Sequence, residues 1–280
     1  MIVRRYADAR AFLDRAEPWL LLSEIEHGLI LGLAHQLTVD DSRYEPPIYW
    51  ATIEDQHKII GCAFRTPPHR VLATDLPPEA IEALVEDVGQ VYDFIPGVSG
   101  AQTTASSFAA AWVARRGGSW SIRVRQRIHS LDKVLFPPER ASGVLRLAAH
   151  SDTDLIDDWA SGFIRDTGVH HRPEEYGQKL VDENRLFLWE DGEPRAMVGT
   201  PRETPHAAGI APVYTPERFR GRGYATVAVA SMSQLLLDRG FTHCFLYTDL
   251  ANPTSNAIYG RIGYRAVRDI VEIDLESPPA

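Results

Sequence analysis

Apolar and polar positions follow the same order in two separate stretches of the chain. Residues 49–79 and residues 186–217 each contain an apolar strand, a polar turn, a second strand, a Thr/Pro/His connection and a further strand that ends at Pro-Glu. A shared order of elements at a similar spacing is typical of related structural units. The pattern therefore predicts two related halves, at residues 1–140 and 141–280, with a boundary in the proline-containing segment 135–143.

The second half alternates between strand and helix patterns. After a strand near residue 145 and two helix patterns, the repeated stretch leads to a strand over 207–215. Apolar residues spaced three and four apart from Ala225 to Leu236 then predict a helix, which Gly240 ends. A buried strand, a short helix and a closing half-exposed strand follow. This order predicts a mixed α/β fold.

Composition narrows the classes of function. The 280 residues are 44% hydrophobic and 24% charged, which is typical of a soluble globular protein, and the net charge of −9 argues against a nucleic-acid partner. The apolar segment at 18–33 contains charged residues, so neither a membrane span nor a signal segment is expected, and a cytoplasmic location is predicted. Cys62 and Cys244 lie in apolar runs as expected for buried thiols. The adjacent His170 and His171 point apart, so no metal site is expected.

The stretch VYTPERFRGRGYATVAVASM, at 213–232, carries the most specific chemistry in the chain. Gly221 and Gly223 allow the backbone to turn tightly and to approach a ligand closely. The predicted helix start directly after them offers unpaired N–H groups and a partial positive charge, which suits a phosphate or pyrophosphate. Arg218, Arg220 and Arg222 add positive charge. The stretch therefore predicts an anion-binding loop.

Two familiar phosphate-binding patterns do not fit this loop. A Walker loop needs Gly-Lys followed by Ser or Thr, and this triplet is absent. A dinucleotide fingerprint needs a third Gly or Ala where Thr226 stands, and an acidic residue nearer than Asp249. A nucleotide-binding domain therefore stays only as a distant alternative.

A third pattern fits. Arg218, Gly221 and Gly223 match R-x-x-G-x-G, the pyrophosphate-binding signature of the GNAT N-acetyltransferase superfamily. The next strand leads to Asn252 and, seven residues later, to Tyr259, and this segment is similar to the superfamily's closing N-x-x-x-x-x-[LI]-Y segment. The resemblance covers about residues 205–275, whereas the first half is related to it only through the internal repeat.

The resemblance implies a fold and a ligand. Each half is expected to be a mostly antiparallel mixed sheet flanked by helices, with two central parallel strands that part near Pro212 in the second half. Acetyl-coenzyme A is then the co-substrate, bound by the second half alone because the first half lacks the signature. Pantetheine amides would pair with the free strand edge at 211–215. The implied cofactor contacts are Ala211, Val213, Thr215, Phe219, Arg220, Gly221, Arg222, Gly223, Tyr224, Ala225, Asn252 and Tyr259.

Two groups are expected to act on the reacting atoms. The backbone N–H of Val213 would polarise the thioester carbonyl, as in an oxyanion hole. The hydroxyl of Tyr259 would protonate the departing thiolate, because a phenol keeps its proton at neutral pH. The general base stays open among three candidates: His206, Asp249 and a chain of water molecules that relays the proton to solvent.

The sequence thus predicts a tandem GNAT-like protein with a degenerate first half. Its second half would transfer an acetyl group from acetyl-coenzyme A to a primary amine by direct attack. A non-catalytic acyl-coenzyme A sensor is the alternative, because neither strand position at which the superfamily carries a base holds a carboxylate. A monomer or homodimer without a nucleic-acid, membrane or metal partner is expected, and the acceptor stays open.

Overall fold

The computed structural model describes residues 1–42, 44–138, 141–168 and 173–278. The chain divides into two compact units, and each is built from separate segments. Unit 1 contains residues 1–128, 247–252 and 267–280, and unit 2 contains residues 129–246 and 253–266. No helix within the described ranges is long and apolar enough to cross a membrane.

Unit 1 takes its elements mainly from the first half of the chain. They are β1 (Ile2–Arg5), α1 (Ala9–Leu20), α2 (Gly28–Leu37), β2 (Tyr49–Asp55), β3 (Lys58–Arg65), β4 (Val71–Ala73), α3 (Pro78–Val91), β5 (Gly97–Gly100), α4 (Gln102–Arg116) and β6 (Ser119–Leu131). The last three residues of β6 fall in unit 2.

The strands of unit 1 are mostly antiparallel, as predicted. Strands β1 to β5 lie side by side in chain order, and only β4 and β5 pair in parallel, with Val71 opposite Val98. The final strand β14 (Arg265–Glu276) returns to this unit and pairs antiparallel with β5. Helices α3 and α4 bury their apolar faces in the same core as these strands.

The alternating arginines of β6 have partners within unit 1. Arg127 donates to both carboxylate oxygens of Asp269, at 2.6 and 2.8 Å, and Arg123 donates to Glu272 at 3.0 Å. Arg125, between them, is exposed and donates to the neutral side chain of Gln102 at 2.7 Å, so β14 neutralises two of the three arginines.

Unit 2 takes its elements from the second half of the chain. They are β7 (Val144–Leu147), α5 (Thr153–Thr167), α6 (Pro173–Asp182), β8 (Leu186–Asp191), β9 (Glu193–Gly199), β10 (Arg202–Glu203), β11 (Ala207–Gly209), β12 (Val213–Tyr214), α7 (Tyr224–Asp238), β13 (His243–Asp249) and α8 (Pro253–Arg261). The last three residues of β13 fall in unit 1.

Helix α7 shows why the periodic pattern was informative. Ala228, Val229, Met232 and Leu236 are fully buried in the core of unit 2, while Leu235 packs at its margin. The antiparallel strands β12, β9, β8 and β7 lie side by side in that order, and β11 pairs in parallel with β13. The predicted mixed α/β class is confirmed.

The line between the compact units differs from the line drawn through the sequence. The units separate after residue 128, and unit 1 also receives residues 247–252 and 267–280. The repeat can locate two similar runs of elements, but it carries no information on which strand joins which sheet. That residues 1–140 and 141–280 form two related domains therefore stays a prediction.

Candidate active site

The strand that leads to the glycine loop changes its partner halfway along. Residues 207–209 of β11 pair in parallel with β13, and the N–H of Ile210 donates to the carbonyl of Phe245 at 2.8 Å. Beyond this point β12 pairs antiparallel with β9, with Val213 opposite Val198. The change falls at 210–212, the position predicted from Pro212, so β11 and β12 belong to two different pairings.

The backbone amides at this change of partner do not all face the same way. The N–H of Ala211 donates to the carbonyl of Gly199 at 2.9 Å, and the N–H of Gly199 donates to the carbonyl of Pro212 at 3.0 Å. The expectation that Ala211 offers its N–H to a pantetheine amide is therefore wrong. The bend at the proline turns that amide towards β9, where it has a protein acceptor.

Val213 is placed differently. The carbonyl of Pro212 accepts the N–H of Gly199, one residue before Val213 and one residue after Val198, so Val213 and Val198 face each other as a non-hydrogen-bonded pair. The N–H of Val213 therefore points away from β9. An oxyanion-hole donor needs an amide without a strand partner, and the orientation of Val213 is compatible with that predicted role.

The loop before α7 has the open backbone that the sequence predicts. Gly221 and Gly223 have φ values of +75° and +81°, and a Cβ atom added at either one would meet nothing within 4 Å. Residues that carry a Cβ rarely adopt this left-handed conformation. Helix α7 starts at Tyr224 directly after them, and no described side chain caps its first N–H groups. These amides are therefore available to an anion.

The arginines of the loop have different surroundings. Arg220 donates through Nε to the carbonyl of Thr215 at 2.9 Å and pairs with Asp166 of α5 at 2.5 Å, and the carboxylate raises the pKa of the guanidinium. Arg218 lies over the ring of Phe219, 4.7 Å from its centroid. Arg222 is exposed and has no partner among the described residues. Arg220 thus fastens the loop, whereas neither Arg218 nor Arg222 has a carboxylate partner among the described residues.

Two aromatic residues predicted as cofactor contacts anchor the loop through their side chains. Phe219 is buried beneath the guanidinium of Arg195, which lies 4.4 Å from the ring centroid. Tyr224 is also buried, and its hydroxyl donates to Asp191 at 2.9 Å. Both contacts tie the loop to the β8–β9 hairpin. A cofactor could therefore reach only the backbone and the ring edges of these two residues.

Sequence reasoning missed the partners that hold the loop. Asp166, Asp191 and Arg195 lie on a helix and a hairpin that are remote from the loop in the chain. Hydrogen bonds from Ser142 and Tyr224 lower the pKa of Asp191, which keeps it ionised as an acceptor. No spacing rule connects these positions with the glycines, so the sequence carries no signal for them.

Tyr259 lies on α8 with its ring edge-to-face against Tyr264, at 5.9 Å between centroids. Ser233 of α7 donates its only hydroxyl proton to the carbonyl of Val229, so Tyr264 must be the donor in its 2.8 Å bond with Ser233. The hydroxyl of Tyr259, in contrast, has no partner within the described part of the chain. Burial raises the pKa of Tyr259 to about 12, so it keeps its proton at neutral pH as a general acid must.

Two of the remaining predicted residues, Asn252 and Asp249, lie in the part of the chain that belongs to unit 1. Asn252 belongs to unit 1, where its N–H donates to the carbonyl of Asp249 at 3.0 Å. Asp249 also accepts the N–H of Ala251 at 2.8 Å, so its carboxylate has a role in the turn. A place for Asn252 beside the cofactor and a base function for Asp249 stay predictions.

His206 lies at the wrong end of its strand for chemistry beside Val213. It precedes β11, and its carbonyl accepts the N–H of Thr242, which precedes β13. The chain then runs the length of β11 and through the change of strand partner at 210–212 before it reaches Val213. His206 therefore lies at the amino edge of this strand pair, whereas the loop lies beyond its carboxyl edge.

No group of three or more His, Cys, Asp or Glu residues in the described ranges could hold a metal ion. His170 and His171 lie outside those ranges. Cys62 and Cys244 are free and buried, as expected from their apolar neighbours.

Comparison with known proteins agrees with this geometry. Residues 189–272 match the family model described as FR47-like protein. No curated protein shows a significant match to the chain.

Several solved structures share the fold over nearly the whole chain. A Drosophila protein has a TM-score of 0.71 at 14% identity, and the match covers 98% of each chain. A GCN5-related N-acetyltransferase from Sphaerobacter thermophilus has a TM-score of 0.60 at 15% identity, over 100% of this chain and 96% of the other. A GCN5-related N-acetyltransferase from Kribbella flavida has a TM-score of 0.61 at 15% identity, and the match covers 92% of this chain and 96% of the other.

These matches confirm the predicted resemblance to the GNAT superfamily at the level of the fold. The 189–272 segment that matches the FR47-like family contains the glycine loop, α7 and α8, and the chain has the fold of the GNAT acetyltransferases.

Proposed function

We propose that the second half is an N-acetyltransferase that moves the acetyl group of acetyl-coenzyme A to a primary amine by direct attack. The observation that carries this proposal is the change of strand partner at 210–212, followed by an uncapped helix start behind two left-handed glycines. The change of strand partner leaves a backbone N–H group that can bind the thioester carbonyl oxygen. The uncapped helix start offers further backbone N–H groups that can bind the pyrophosphate of the cofactor.

Each step of the reaction has a group in unit 2 that suits it, except proton removal from the amine. The amine nitrogen attacks the thioester carbonyl carbon, a C–N bond forms, and the N–H of Val213 stabilises the oxyanion. The C–S bond then breaks, and Tyr259 gives its proton to the coenzyme A thiolate. The amine loses a proton to a base that stays unassigned, with Asp249 and a water chain as candidates.

The proposal assigns the diphosphate of the cofactor to the loop. The N–H groups at the start of α7 and the guanidinium of Arg222 would hold it, while Phe219, Tyr224 and Arg220 keep the loop in place. The predicted contacts at Thr215 and Ala225 belong to this proposal, as does a cytoplasmic location.

A coenzyme A release assay tests the function. The protein is incubated with acetyl-coenzyme A and a panel of small amines, amino acids and peptides, and free thiol is measured against a reaction without amine. We expect release that depends on one class of amine, with the acetylated product seen by mass spectrometry. Calorimetric binding of acetyl-coenzyme A without release for any amine would instead support the acyl-coenzyme A sensor, and absence of binding would exclude both.

A further inference from the structure

Unit 1 contains a cavity of about 230 Å³. Its lining includes none of the residues that have a role in the proposed function. It lies at the carboxyl ends of the parallel strands β4 and β5, where Asp75 and Gly100 are part of its wall. The connection from α1 to α2 supplies His27, and β14 supplies Arg268. Ligands commonly bind outside the carboxyl ends of parallel strands. The position and the size of the cavity therefore suit a small molecule.

His27 gives this cavity a hydrogen-bond acceptor on an aromatic wall. Its ring stacks on Trp19, with 5.0 Å between centroids and 19° between planes. Because a carbonyl can only accept, Nδ1 must donate in its 2.8 Å bond with the carbonyl of Leu20. Burial lowers the pKa of His27, so the ring is neutral at pH 7. Nε2 therefore keeps its lone pair, and it has no partner in the described chain.

The charges around the cavity leave an excess of negative charge. Arg268 bonds Asp75, and its Nη1 lies 3.7 Å from a carboxylate oxygen of Glu26. One guanidinium thus faces two carboxylates. The start of α4, beside Gly100, contributes roughly half a positive charge, which does not offset the second carboxylate. The cavity is therefore suited to a cation rather than to an anion.

The rest of the wall is apolar. Leu72, Ile128 and Ile270 line it together with the indole of Trp19. A hydrated inorganic cation would gain nothing from these side chains, whereas an organic cation would bury its apolar surface against them. The combination of a flat aromatic wall and an excess carboxylate is the setting in which organic ammonium ions bind.

From this arrangement, we propose that the unit 1 cavity binds a small primary amine with an apolar body. The ammonium group lies towards Glu26 and Asp75 and donates one N–H to Nε2 of His27, and the body lies against Trp19. The proposal goes beyond the proposed function, because it concerns binding in unit 1 whether or not the amine is acetylated.

Three ligands that share a phenethyl body and differ in charge test the proposal. Phenethylamine, 2-phenylethanol and 3-phenylpropionate are titrated into the full chain by calorimetry in the absence of acetyl-coenzyme A. We expect the amine to bind, the alcohol to bind at least ~10-fold more weakly, and the acid more weakly still. Equal affinities, preference for the acid, or no binding of the amine would each overturn the proposal.

Two variants and a control locate the binding. Glu26→Gln removes one charge at nearly constant shape, and His27→Phe keeps a ring on Trp19 without a lone pair. Each variant should weaken the binding of phenethylamine by about 10-fold. In Glu26→Gln, the affinity for 2-phenylethanol should stay within about 2-fold of that of the parent protein. Glu82→Gln makes the same charge change at an exposed carboxylate that pairs with Arg115 outside the cavity, and it should have no effect.

The result is independent of the test of the proposed function. Amine affinity is measured without acetyl-coenzyme A, so an inactive enzyme with an intact cavity and an active enzyme with an empty cavity give different results. An equal loss of phenethylamine affinity in Glu26→Gln and Glu82→Gln would place the binding elsewhere and would overturn the assignment to this cavity.

Discussion

Helices α3 and α7 follow corresponding strands in the two halves, yet they begin in opposite chemical settings. Helix α3 has Pro77 as its cap, Pro78 at its first position and Glu79 in its first turn. Helix α7 instead follows two left-handed glycines and an arginine without a described partner. Prolines remove amide donors and a carboxylate repels an anion, so only the second start suits a pyrophosphate. The halves can therefore share an order of elements without sharing a ligand.

The largest effect is expected at helix α8, which carries Tyr259. The corresponding helix of the first half, α4, has no tyrosine. Tyr259→Phe keeps the ring against Tyr264 but removes the proton donor. We expect kcat to fall by roughly 100-fold while the affinity for acetyl-coenzyme A is kept. Stopped-flow turnover and calorimetry measure the two quantities.

Tyr264→Phe is the matched control for this variant. Its hydroxyl is buried in a bond with Ser233, so its loss should lower the melting temperature and leave kcat close to that of the parent protein. Parent-like turnover of Tyr259→Phe, under conditions where chemistry limits the rate, would remove Tyr259 from the mechanism.

The next effect is expected at the glycine loop. Gly221→Val places a branched side chain where the backbone must approach the pyrophosphate, and acetyl-coenzyme A should bind at least ~10-fold more weakly, about 1.4 kcal/mol. Gly192→Val is the control, because Gly192 has a φ of +72°, also lacks neighbours within 4 Å of an added Cβ, and lies at the β8–β9 turn. Equal affinities of the two folded variants would contradict the loop assignment.

A smaller effect is expected from the free cation of the loop. Arg222→Gln should weaken acetyl-coenzyme A by about 3-fold, because an exposed charge contributes less than about 1 kcal/mol in water. The difference should shrink as salt is added. Arg239→Gln, at the other end of α7, should leave the affinity unchanged. An equal loss from Arg239→Gln would show that the effect is one of net charge alone.

No effect on the binding of acetyl-coenzyme A is expected from a change in the first half. Calorimetry should give one acetyl-coenzyme A per chain, and Glu79→Gln at the start of α3 should change neither the stoichiometry nor the affinity. A second site per chain, or weaker binding in this variant, would show that the contrast between the two helix starts does not decide where the cofactor binds.

Local patterns made most of the fold predictable. The buried stripe of α7 could be read from residues three and four apart, and its start could be read from the glycines before it. The change of strand partner could be anticipated only in part, because 207–215 reads as a single strand with one proline. The pattern does not show that Ala211 donates its N–H to the carbonyl of Gly199, which ends the strand β9 twelve residues earlier in the chain.

Features that depend on distant residues had no local signal. Asp166 meets Arg220 across 54 positions, and β14 meets β5 with Val271 opposite Gly100. In the sequence, His27 reads as a polar interruption of an apolar run, and only the fold shows that it faces a cavity. Such contacts are decided by which surfaces pack together, and a one-dimensional pattern does not contain that choice.

The return of β14 to unit 1 has a consequence for the growing polypeptide on the ribosome. Until residues 271–274 emerge, β5 is an edge strand whose N–H and C=O groups on one side are unpaired, and the core lacks Val271, Ile273 and Leu275. By then the whole of unit 2 has been synthesised. The half that is translated first is thus the last to acquire all of its strands, and it is exposed to mispairing with other nascent chains for longer.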